Sequence, residues 1–187
     1  MKPPKDADPE TMTLEAFADT IVPGEKRWPG DRAVAGISPG GGAVAAGAVD
    51  LMRTEAGGMA SSLPDLVKAL NQHAEGHAER NRLSLDPAVP PFVALPARDR
   101  ATLVADLVRP GHPEKFLWVG LAIFSNMAFD TGAHLSTTQA MDAGHPGLAA
   151  LGYTRPDGDG LWRFPDFSYR RTLAKLHPGT TATGSPE

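Results

Sequence analysis

The chain has 187 residues, enough for one domain with a core of its own, and its 20 glycines and 18 prolines imply long ordered connections between elements. A formal net charge of -4 gives no electrostatic case for nucleic acid, and no block of lysines and arginines forms a membrane-binding patch. The absence of cysteine excludes disulfides, thiolate nucleophiles, iron–sulfur clusters and cysteine-based zinc sites.

Residues 1–12, polar and rich in proline, read as a flexible leader, with neither the apolar core of a secretory signal nor twin arginines, which points to the cytoplasm. Thr13 then caps a predicted helix, LEAFADTIV, with Leu14, Phe17, Ala18 and Ile21 on its buried side and Glu15 and Asp19 outside. Pro23 and Gly24 end it. From there to Gly42 proline and glycine recur too often for a helix or strand, so this is a long loop of the kind that carries function or docking, with Trp28 and Ile37 as its anchors. A second helix is predicted over Ala43 to Glu55, stopped by Gly57 and Gly58. Ser62 caps a third that lasts to about Leu83, with Leu63, Leu66, Val67, Leu70, Ala74 and His77 on one face. A proline-rich connection leads to a fourth from Pro96 to Val108.

The next helix organises the prediction. Between Phe116 and Phe129 only Ser125 and Asn126 are polar, and the apolar residues do not keep to one stripe. A helix apolar on all sides belongs in a core or a membrane, and about 14 residues fall short of the roughly 20 that a bilayer needs. The stretch 113–131 is therefore predicted to be the buried central helix of an all-α domain. Beyond Gly132 a short helix over STTQAMDAG is followed by turns and five aromatics, Tyr153, Trp162, Phe164, Phe167 and Tyr169, within 17 residues. Such a segment either wraps the body as an aromatic strap or meets a partner. A last short helix, RTLAKLH, closes the domain at residue 177, and 178–187 have the composition of a disordered tail.

No complete catalytic signature is present. His73 and His77 lie four apart on one helical face and could share a metal, as could Asp130 and His134 at the end of the central helix, but Glu75 sits on the wrong side of His73 for a zincin motif. Gly40, Gly41 and Gly42 lack the strand and lysine of a phosphate loop and read as a flexible lead into a helix. Arg170 and Arg171, beside Asp166 and Tyr169, could bind an anion, clamp a carboxylate of a partner or pin the strap by an internal salt bridge.

Three stretches taken together, TLEAFADTIVPGE with the PGD…AG loop after it, ALNQHAEGH…FVALPARDRATLVADL, and GY…WRFPDFSYRR, resemble the gluconate 2-dehydrogenase subunit 3 family over roughly residues 13–177. Its members are small helical accessory subunits of flavin-dependent dehydrogenases of the glucose–methanol–choline type. The family-like residues are Ala18, Asp19, Pro23 and Gly24 in the first stretch, and Trp162, Arg163, Phe164, Pro165, Asp166, Phe167, Tyr169 and Arg170 in the last. The resemblance implies a non-catalytic chain that binds and stabilises a large subunit carrying FAD, with no cofactor or metal of its own. Trp28, Trp162, Phe164, Asp166, Phe167, Tyr169, Arg170 and Arg171 are the expected contacts with that partner. Many members start with a twin-arginine signal and this chain does not, which favours a cytoplasmic complex. The alternative is a free-standing enzyme for a small hydrophobic or polycyclic substrate, in which His73, His77, Asp130 and His134 supply acid/base groups or hold a metal. A plain scaffold protein is the third class.

Overall fold

The computed structural model describes residues 8–155 and Gly179. The chain divides after Tyr153 into two units, and nearly all described residues belong to the first. Every regular element among them is helical: α1 (Pro9–Ile21), α2 (Ala48–Arg53), α3 (Leu63–Asn81), α4 (Pro91–Ala94), α5 (Ala97–Val108), α6 (Lys115–Thr131), α7 (Thr137–Asp142) and α8 (Pro146–Ala150), with two 3-10 turns, Glu55–Gly57 and Ala60–Ser62, between α2 and α3. No helix among them is long and apolar enough to cross a membrane.

The helix ends follow local chemistry. α1 begins at Pro9 rather than after Thr13, because Asp8 accepts a hydrogen bond from the Thr11 amide at 3.3 Å, Pro9 fits the first turn, and Glu10 faces the positive end of the dipole. Thr13 is fully buried and donates to the Pro9 carbonyl at 2.9 Å. α2 begins at Ala48, later than expected, since Gly47 takes a φ of 83° and sits flat against the His134 ring, where any side chain would collide. The proline-rich connection holds one unexpected helical turn, α4, whose Phe92 amide donates to the Asn71 Oδ1 of α3 at 3.0 Å. Ser136 and Gln139 close a reciprocal capping box on α7.

The core joins one stripe from each of α1 to α6. Phe17, Phe92 and Trp118 are fully buried at its centre, with the Phe17 ring 6.4 Å from each of the other two. α6 packs on α1, α2, α5 and α8, but only Trp118, Leu121, Ser125 and Ala128 are buried. Burial on every side, expected from its composition, is not what the fold provides: Phe116 is 88 % exposed, Ile123 49 %, Leu117 46 % and Met127 39 %. Among the described residues, the helices that bury α6 do so along the stripe of Trp118, Leu121, Ser125 and Ala128. Ser125 belongs to the inner stripe and is satisfied by the Leu121 carbonyl at 3.0 Å.

Two substitutions on the same helix separate its faces. Trp118→Ala removes a fully buried indole and should lower unfolding free energy by about 3 to 5 kcal/mol. Phe116→Ala, measured on dilute protein by urea titration, should change it by no more than about 0.5 kcal/mol.

Candidate functional site

The long connection between α1 and α2 is held as a closed loop. At its neck the Ala43 amide donates to the Val22 carbonyl at 2.9 Å and the Glu25 amide to the Gly40 carbonyl at 2.7 Å. Gly24 and Gly42 pass so closely there that a Cβ on either would fall inside the other's backbone. The triple glycine thus permits a chain crossing, which is more specific than a flexible lead into a helix.

Three charged side chains, each at most 5 % exposed, fix the loop from beneath. Asp19, on α1, faces inward, contrary to its expected outward position, and accepts from the Gly24 amide at 3.1 Å and the Ala35 amide at 2.8 Å. Asp31 accepts from the Val34 amide at 3.2 Å and from Arg27 Nε at 2.7 Å. Arg27 in turn grips both oxygens of Glu15, at 2.5 and 2.7 Å. Arg100, on α5, donates to the carbonyls of Leu95 at 3.0 Å, Ala33 at 2.7 Å, Arg32 at 3.0 Å and Val93 at 2.5 Å. Burial raises the Asp19 pKa, with its two backbone amides and Arg100 opposing. For Asp31 burial also pushes upward, but the bond to Arg27 and the Val34 amide outweigh it and hold the group below its ordinary value.

What the loop presents outward differs from what was expected to anchor it. Ala33 and Val34 are the buried residues, at 2 % exposure each, whereas Ile37 is 68 % exposed. Trp28 is half-buried, its ring lying under the Arg27 guanidinium at 4.6 Å.

The histidines are distributed over separate places. His73 Nε2 lies 2.7 Å from Glu114 Oε2, which also accepts from Trp118 Nε1 at 3.1 Å, and the His112 ring is 6.0 Å from that of His73. The bond to His73 holds the Glu114 carboxyl below its usual range. His77 Nε2 is 3.1 Å from Asp99 Oδ1 in the first turn of α5. The two α3 histidines therefore tie the starts of α5 and α6 to α3. Asp130 is exposed near the other end of α6, about 24 Å along the axis from Glu114. His134 lies against Gly47 instead, with its Nδ1 buried and without a hydrogen-bond partner. His73 and His77 on α3 do not join Asp130 on α6 and His134 beyond it in one site, and among the described residues no group of three or more His, Asp or Glu could hold a metal ion. Trp162, Phe164, Asp166, Phe167, Tyr169, Arg170 and Arg171 lie outside the described residues.

Sequence reasoning passed over Arg100. Its signal was an arginine on the same face of α5 as Leu103, Val104 and Leu107.

Arg100→Met should strand several loop carbonyls, lower stability by about 3 kcal/mol or more, and remove hydrogen-exchange protection from the Val34 and Ala35 amides. A second expectation concerns pH. Burial lowers the His134 pKa from 6.5, with Asp50 opposing and His145 assisting. The unfolded chain takes up a proton that the folded chain resists, so this contribution is intact above about pH 6.5 and is lost as pH falls through the lower folded value. Urea titrations through that window should show His134→Gln losing less stability than the wild type.

No curated protein and no solved structure matches the chain. Residues 8–187 match the family of unknown function DUF5987, and the chain belongs to that family.

Proposed function

We propose that this chain is a non-catalytic accessory subunit that binds and stabilises a flavin-dependent alcohol or sugar oxidoreductase, the large subunit holding FAD and carrying out the hydride chemistry. The observation that carries the reading is the loop between α1 and α2. A connection this long is ordinarily loose, yet here buried Asp19, Asp31 and Arg100 fix its backbone while Ile37 and part of Trp28 face outward. A loop held rigid before its partner arrives loses little conformational freedom on docking, and Trp and Arg are the side chains that most often dominate such contacts. Arg27, its guanidinium held by Glu15 and Asp31, stacks on Trp28 and fixes that ring in place. The resemblance to the small subunits of flavin-dependent dehydrogenases supplies the nature of the partner.

The test is affinity capture of the tagged full chain from its native extract, followed by mass spectrometry and an absorbance spectrum. A large flavoprotein with a flavin spectrum should co-elute. The double variant Trp28→Ala, Ile37→Asp should weaken its binding about thirtyfold or more while leaving the fold intact. A chain that captures no flavoprotein overturns the proposal.

A further inference from the structure

The apolar side of α6 left uncovered by the helical body is patterned rather than scattered. Phe116, Gly120, Ile123 and Met127 follow one another at spacings of four, three and four residues, the repeat by which one helix packs along another. Leu117 and Phe124 border this line and, with Met59 and Leu66, form the wall of a groove of about 300 Å³. No charged residue interrupts α6 between Lys115 and Asp130.

We propose that a second copy of this chain covers this face, the two α6 helices lying antiparallel about a two-fold axis near residues 121 and 122. Shape supports the pairing. In that register Phe116 of one copy meets Met127 of the other, and Ile123 meets Gly120, which carries no side chain and is flanked by Met59. Charge supports it too. Lys115 opens the helix and Asp130 closes it, and at 100° per residue both fall on the same flank of the exposed line. The antiparallel arrangement sets the lysine of each copy beside the aspartate of the other at both ends, and it opposes the two helix dipoles. A parallel arrangement about an axis along the helices leaves the lysines of the two copies on opposite flanks, and likewise the aspartates, and pairs no lysine with an aspartate. No residue lining the groove belongs to the loop that bears Trp28 and Ile37, so the dimer and the capture of a flavoprotein are tested by different substitutions.

Sedimentation velocity on the full chain across the micromolar range should give a mass twice 19.7 kDa at the upper concentrations. Ile123→Glu should return the monomer, and because Ile123 is half exposed its thermal unfolding as a monomer should be little changed. Lys115→Glu and Asp130→Lys should each raise the dissociation constant about tenfold, and the double variant should restore it to within about threefold of the wild type. Each reversal places a charge where the helix dipole favours it, so weakening cannot come from a damaged helix. A monomer at every concentration, a dimer indifferent to Ile123→Glu, or an absence of rescue in the double variant overturns the proposal. So does a monomer whose flavoprotein capture is abolished by Ile123→Glu, because the face would then belong to the flavoprotein.

Discussion

One guanidinium holds the body and the loop together. Arg100 enters the interior from α5 and donates to four backbone carbonyls, two in the loop at Arg32 and Ala33, one within α4 at Val93 and one just after it at Leu95. A charge so buried is tolerated because every bond it makes satisfies a carbonyl that would otherwise be stranded away from water. Asp19 does the complementary work from α1, taking up two loop amides, and lies close enough to Arg100 to offset part of its charge. The loop is thus an ordered extension of the core, although it contains no helix or strand.

The remaining polar clusters serve as joints between helices. Asp99 and Glu114 stand at the starts of α5 and α6, and each is met by a histidine from α3. Trp118 takes part in both systems, with its ring in the aromatic core and its Nε1 on Glu114. These histidines have carboxylate partners of their own, which is why they do not converge with Asp130 and His134 into one site. The proposed partner contact and the proposed dimer both rest on surfaces: a rigid loop between α1 and α2 and an apolar face of α6.

The helical class, the one-sided face of α3, and the stops at prolines and glycines were legible in the sequence, because each depends on residues within a turn or two of one another. Leu63, Leu66, Leu70, Ala74 and His77 were expected on one face of α3 and are buried on it. The start of α1 was misplaced because Thr13 and Asp8 are both good caps, and the proline after Asp8 decides between them. α4 escaped notice because its single turn is stabilised by Asn71, far away in sequence.

Composition determined that this chain forms helices joined by long ordered connections, and that α6 had to find apolar neighbours. Only the tertiary structure decided that those neighbours cover one side of it. Hydrophobicity of a segment measures how much surface favours burial, while the number and placement of surrounding helices sets how much is buried within one copy. The same distinction applies to Asp19 and Arg100. Their charge, read locally, places them at the surface, and only the proximity of backbone groups 5 to 68 residues away makes the interior their place.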